Sequence, residues 1–259
     1  MNQFQVLFKK EWLEATRDFK WIWIPLVFII LGIMEPLTAY YTPQIIEEFG
    51  DLPPGTVIEI PLPTAGEVLV RTASQLNLFG VLVIILAFMG ILAGERKSGT
   101  AAMILVKPVS YHAFVGAKWL HGAVLIGVSY LLGMLASWYY TYQLFDLVKV
   151  SDFFMGTMTF GIFLLFIFTL TLFFSSFSSK SGIAAFATLG TVIVLTMISS
   201  LLPEKFNWTP FGLTVYASKL WMGDQEVSGK IYIAFIVTVA MMALLTFLSI
   251  RIFKRKELA

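Results

Sequence analysis

Six apolar runs, each long enough to cross a bilayer as a helix, constrain this chain more than any other feature. They lie at about 21–41, 74–93, 119–141, 153–174, 182–202 and 231–250. A helical span needs roughly 17–25 predominantly apolar residues. Only helices and closed barrels satisfy their backbone polar groups in hydrocarbon, and continuous rather than alternating apolar runs predict helices. The predicted fold is therefore an all-α membrane protein with six transmembrane helices. Composition agrees: 58% of residues are hydrophobic and 13% charged, whereas a soluble domain carries about 25% charged residues. There is no cysteine, which excludes disulfides, thiol catalysis and cysteine-based metal sites. The first run begins well inside the chain, is of full length and lacks a small-x-small cleavage site. It is expected to remain a span rather than act as a signal peptide.

An even number of spans puts both termini on one side. Of the 18 Lys and Arg residues, 13 fall on that side. They are Lys9, Lys10, Arg17, Lys20, Arg96, Lys97, Lys107, Lys118, Lys180, Arg251, Lys254, Arg255 and Lys256. The other side holds Arg71, Lys149, Lys205, Lys219 and Lys230. The positive-inside rule then predicts cytoplasmic termini in a plasma membrane, the inner membrane of a bacterium.

The remaining segments have distinct characters. In residues 2–18, Phe4, Leu7, Phe8, Trp12 and Ala15 recur at spacings of three and four, with Lys9, Lys10, Glu14 and Arg17 elsewhere. That pattern predicts an amphipathic interfacial helix on the inner leaflet. Residues 42–73 are expected to form a long outer loop, in which Pro43, Pro53, Pro54, Pro61 and Pro63 oppose long helices. Residues 203–230 are too polar to span but carry Phe206, Trp208, Phe211, Trp221 and Met222, as suits a re-entrant or interfacial outer segment.

Residues 94–118 form the largest cytoplasmic loop. Ala101 to Leu105 favour a short helix, Lys107 before Pro108 ends it, and Ser110 is placed to cap the helix of the third span. A short helix held transversely under the membrane offers a small docking surface rimmed by charge. Gly99 allows a tight turn at positive φ.

This loop resembles that of the ABC-2 type permeases. The resemblance rests on Glu95-Arg96-Lys97-Ser98-Gly99-Thr100 followed by Lys107-Pro108-Val109-Ser110 between the second and third of six spans. Phe8-Lys9-Lys10-Glu11-Trp12, Ser178-Ser179-Lys180-Ser181-Gly182 and Pro210-Phe211-Gly212 are also similar to segments of that family. The resemblance implies a permease dimer, formed with a second copy or a paralogue, in the lipid bilayer. It implies a separate cytoplasmic ABC ATPase that binds ATP and Mg, and a coupling helix that switches the pathway between two states. Glu95, Arg96, Ser98, Gly99, Thr100, Lys107 and Pro108 are the implied ATPase-coupling residues. Exporters of peptides, lipids, drugs, polysaccharides and ions share this architecture.

No cofactor is expected on this chain. Gly94 to Gly99 has the glycine spacing of a phosphate loop, but Thr100 stands where the lysine is needed and no strand precedes it. His112 and His121 are too far apart to share one metal face of a helix. No nucleic-acid partner is expected. Glu35, beside Pro36, is the one acidic residue inside a span, in its outer third. It is a candidate for the pathway or for reaching the interface. Gly90 and Gly94 form a GxxxG pair, a candidate for close helix packing. A membrane enzyme would need a nucleophile–base pair or a metal cluster. A stand-alone ion-coupled carrier would need charged relays and inverted repeats, of which Glu35 alone is a poor token.

Overall fold

The computed structural model describes residues 3–49, 61–100, 103, 109–224 and 229–257. Within them the secondary structure is helical: α1 (Gln3–Arg17), α2 (Lys20–Phe49), α3 (Ala65–Gln75), a π-helical turn (Leu76–Gly80), α4 (Val81–Phe88), α5 (Ala93–Lys97), α6 (Tyr111–Leu144), α7 (Val150–Ser175), α8 (Ser181–Leu201), α9 (Pro203–Phe206), α10 (Gly212–Trp221) and α11 (Lys230–Glu257). Six stretches among the described residues are long and apolar enough to cross a membrane: Lys20–Ile46, Ala65–Lys97, Tyr111–Leu144, Val150–Ser175, Ser181–Leu201 and Lys230–Arg255. The second joins α3, the π turn, α4 and α5. The termini share one end of the bundle, called here the terminal end; the opposite end is distal.

Helices run further than the apolar runs alone suggest. The outer loop expected at 42–73 is shortened from both sides. α2 continues through Pro25, Pro36 and Pro43 to Phe49, as spanning helices do when neighbours compensate the lost backbone bonds. α3 begins at Ala65 behind a capping box, with Thr64 Oγ1 accepting from Glu67 N and Glu67 reaching back to Thr64 N at 2.8 Å. Pro53 and Pro54 lie outside the described residues. α6 begins at Tyr111, where Ser110 Oγ accepts from Ala113 N at 3.1 Å. Its 34 residues make a rod of about 51 Å at 1.5 Å per residue. That exceeds the roughly 30 Å of hydrocarbon, so the helix extends beyond the hydrocarbon or crosses it at a tilt.

α7 is the most buried of the six spans, while α2, α8 and α11 expose much of their apolar surface. On α2 that surface is a stripe of Ile22, Leu26, Ile30 and Met34, one helical turn apart. In a soluble protein such a stripe would be a liability; here lipid is its solvent. Small residues and polar bonds lock the interior. α2 and α6 cross where Gly32 faces Gly133, and a Cβ at Gly32 would stand 2.1 Å from the Gly133 carbonyl oxygen. Only glycine allows that backbone approach. Thr72 and Ser137 hydroxyls meet at 2.9 Å, Tyr130 OH donates to Thr157 O at 3.0 Å, and Trp119 Nε1 donates to Thr169 Oγ1 at 2.9 Å. Each such bond between spans contributes about 0.6 kcal/mol on average.

α10, in the segment expected to be re-entrant or interfacial, packs along α7. Phe211, before its first residue, packs on Phe163 and Phe166 near the middle of α7. Trp221, at its last residue, donates from Nε1 to Phe153 O near the start of α7 at 3.3 Å. The helix thus runs beside the distal half of α7 and no further.

Candidate functional site

At the terminal end, five charged side chains from three elements meet, three of them buried and Lys10 and Glu14 reaching the surface. Glu11 of α1, Glu95 of α5 and Lys118 of α6 expose 8%, 7% and 2% of their surfaces. Lys118 Nζ lies 2.8 Å from Glu11 Oε1 and 2.7 Å from Glu95 Oε1. Lys10 Nζ contacts Glu11 Oε1 at 3.0 Å, Glu14 Oε2 at 2.7 Å and also Glu95 Oε1. α1 makes this possible because Leu7, Glu11 and Ala15, one turn apart, form its buried face. Burial alone would raise the Glu11 carboxyl, but Lys118 and then Lys10 outweigh it and hold the group below the usual range. Burial would lower the Lys10 ammonium, yet Glu11, Glu14 and Glu95 together raise it. Both groups are thus held charged.

α5 is fastened on its other sides too. Helical order lapses at Met89–Leu92, and the Ser175 hydroxyl of α7 fills the gap. Ser175 Oγ accepts from Leu92 N and Ala93 N at 3.1 and 3.0 Å and donates to Met89 O at 2.8 Å. Arg96 Nη1 donates to Ser176 O at 3.1 Å, and its guanidinium lies 4.8 Å from the centre of the Phe253 ring on α11. Five residues of helix therefore touch α1, α6, α7 and α11.

The sequence-predicted residues sort accordingly. Glu95 and Arg96 are engaged inside the bundle. Lys97 and Ser98 are exposed, and the Ser98 and Thr100 hydroxyls meet at 2.8 Å. Gly99 turns the chain at φ 74°, a conformation that L residues with a Cβ rarely adopt. Lys107 and Pro108, with most of the expected coupling helix, lie outside the described residues. Glu35 is half-buried on α2, three residues beyond the Gly32–Gly133 crossing. Of the two GxxxG glycines, Gly90 approaches Ser181, whose Oγ would lie 3.2 Å from an added Cβ; at Gly94 a Cβ would meet nothing within 4 Å. His112 is exposed. His121 is buried among Phe8, Trp12 and Trp21.

The family model for ABC-2 family transporter proteins matches residues 5–258. The chain belongs to the ABC-2 transporter family. It is also 34% identical over 210 residues to a protein of Bacillus subtilis (strain 168) described as the uncharacterized transmembrane protein YxlG, a match covering 81% of each chain. The chain is thus a multi-pass membrane protein of an ABC transporter family, associated with lipid.

For an ABC-2 family member, the parts missed from sequence are instructive. Lys118 counted only as an inner-side charge, although it shares a helix face with Phe114, Val115 and His121, all buried. A lone basic residue in an apolar register is the signal that would have exposed it. Glu11 carried the same signal on α1. Ser175, beside other small residues at the end of an apolar run, carried none.

Proposed function

We propose that this chain is the permease subunit of an ATP-driven ABC exporter in a bacterial plasma membrane, with cytoplasmic termini. A separate ATPase docks on the segment leaving α5, and ATP and Mg bind there rather than on this chain. Two permeases, identical or paralogous, form the working unit. The observation that carries this reading is the anchoring of the described residues on either side of 101–108. Glu95 on one side and Lys118 on the other meet in one buried ion network with α1. A surface loop of no mechanical consequence needs no such footing, whereas a loop that delivers force to the spans does. On this reading Lys97, Ser98, Gly99 and Thr100 start the docking face, and Glu95 and Arg96 transmit what reaches it.

A second observation supports a pathway. Ser74 and Asn77 of the second span face Thr214 and Ser218 of α10 across a groove of about 120 Å³. Polar side chains at membrane depth suit a wetted route or a partner helix better than lipid. The test is co-purification of an ATPase with the tagged chain, followed by ATP-driven transport in vesicles. Absence of any associated ATPase would overturn the proposal.

A further inference from the structure

A cavity of about 320 Å³ opens beside the ion network. Its lining includes the acids Glu11, Glu14 and Glu95 with Lys118 between two of them; the donors Lys20, Ser98 and Thr100 beside His121; and an apolar floor of Ala87, Phe88 and Ile91. Gly90 and Gly94 also face it, and the open space at Gly94 Cβ belongs to it. The glycine pair therefore makes room here as much as it makes contact.

Two buried atoms at this cavity have no hydrogen-bond partner among the described residues: Glu95 Oε2 and His121 Nε2. The residues bearing them are 93% and 95% buried, from exposures of 7% and 5%. Buried polar atoms left unmatched are costly: the carboxylate oxygen calls for a donor and the imidazole nitrogen for a polar partner. Charge points the same way. Glu11, Glu14 and Glu95 carry three negative charges against the two positive charges of Lys10 and Lys118. Lys20 on the cavity wall is the third cation, so a ligand that carries both signs leaves the set balanced. Lys20 stands apart, 3.9 Å from Asp18, as a cation on the cavity wall for a neighbouring anion.

We propose that this cavity binds a phosphoethanolamine group, its primary ammonium held by Glu95, Glu14 and His121 and its phosphate by Lys20 with the Ser98 and Thr100 hydroxyls. An ammonium fits better than a metal ion. The carboxylate oxygens of Glu11, Glu14 and Glu95 cluster within 4.8 Å, but Lys10 already sits among them, and a hard divalent ion would have to displace it to gain its six or more oxygens. An ammonium donates to the remaining oxygen and leaves Lys10 in place. The apolar floor belongs to the second span and suits the start of an acyl chain, which favours a phospholipid over a soluble source.

The experiment is native mass spectrometry of the purified chain with graded mixtures of phosphatidylethanolamine and phosphatidylcholine, with soluble glycerophosphoethanolamine and with magnesium alone. Retention of phosphatidylethanolamine at least tenfold over phosphatidylcholine is expected. Gly94→Leu fills the cavity and should abolish that preference. Gly190→Leu, at another glycine whose Cβ meets nothing within 4 Å, should keep it. Glu14→Gln, at the exposed rim, should weaken it about fivefold and serves if Gly94→Leu fails to fold. Equal binding of the soluble compound would keep the chemistry and reassign its source. Equal retention of both lipids, binding of magnesium alone, or an unchanged preference in Gly94→Leu or Glu14→Gln would overturn the proposal. None of these readouts involves an ATPase, so they stand or fall apart from the transport function.

Discussion

Lys118→Met is the sharpest perturbation of the ion network, because the methionine keeps the bulk of the side chain and removes only its charge. Lys118 is 3% exposed at its side chain and meets two carboxylates at 2.8 and 2.7 Å. At an effective dielectric of about 20, each contact attracts by about 6 kcal/mol before desolvation is counted. Desolvation of several kcal/mol per ion offsets most of this, so the intact network adds little net stability. Removing one member is a different matter. Among the described residues, Glu11 and Glu95 would then keep Lys10 alone as a contacting cation, and stranding buried charge in this way costs about 3–5 kcal/mol. The triple variant Glu11→Gln, Glu95→Gln, Lys118→Met strands no such charge and should recover most of that loss. The assay is thermal unfolding in detergent, followed by size-exclusion recovery of the monodisperse chain. Lys118→Met should unfold well below the parent and the triple variant close to it. A single variant as stable as the parent, or a triple variant no better than the single, would refute the argument from uncompensated charge.

Other outcomes follow from the same structure. Gly99→Val forces a β-branched residue to φ 74°, at a cost of about 1–2 kcal/mol or more. It should impair transport and ATPase association while leaving membrane insertion intact, as read by co-purification normalised to inserted protein. Glu11 has a depressed carboxyl, so its contribution is complete above the ordinary value of 4.5 and lost as pH falls through the folded value. Lys10 is raised, so its contribution is complete below 10.5 and lost only as pH rises through its folded value. Unfolding midpoints should therefore be insensitive to these two groups between those limits, and the acid loss should shrink in Lys118→Met. In the cysteine-free chain, cysteines at Gln3 and Lys180 should be labelled from the cytoplasmic face and those at Asp146 and Asp224 from outside; outside labelling at Lys180 would break the topology. Glu35→Ala should alter transport more than Glu35→Asp if Glu35 faces the pathway, and equal, parent-like transport by both would remove it.

The spans were legible because lipid imposes a coarse rule: long apolar runs must be helices, and six of them were visible in the residues. Their ends were less legible, for reasons that differ from place to place. Pro43 reads as a helix breaker in water, yet α2 passes through it. The start of α3 was written plainly as Thr-x-x-Glu at Thr64 and Glu67, but a loop dense in prolines masked it. The loop motif identified Glu95 without its role, since spacing alone cannot separate a carboxylate aimed at a partner from one aimed inward. That distinction depends on Lys10 and Lys118, which lie 85 and 23 residues away.

The burial of Glu95 also bears on how force would pass through the chain. A residue at the docking surface can give way without disturbing the spans. Glu95 cannot, because α5 is bonded at once to α1 through Lys10, to α6 through Lys118, and to α7 through the Ser175 hydroxyl and Ser176 carbonyl. Above it, the second span has an α-helical lapse at Met89–Leu92 and a π turn at Leu76–Gly80, two places where a helix can change direction without breaking its ladder elsewhere. A displacement of the 98–110 segment would therefore move α5 together with α1 and the start of α6, and the second span would bend at Met89–Leu92 before it slid as a rod. Spin labels on Arg17→Cys and Lys97→Cys, both exposed in the parent, would then keep one narrow separation with and without a non-hydrolysable ATP analogue in the ATPase-bound complex. A separation that shifts with nucleotide would show that α1 and α5 move independently and that the ion network does not carry the motion between them.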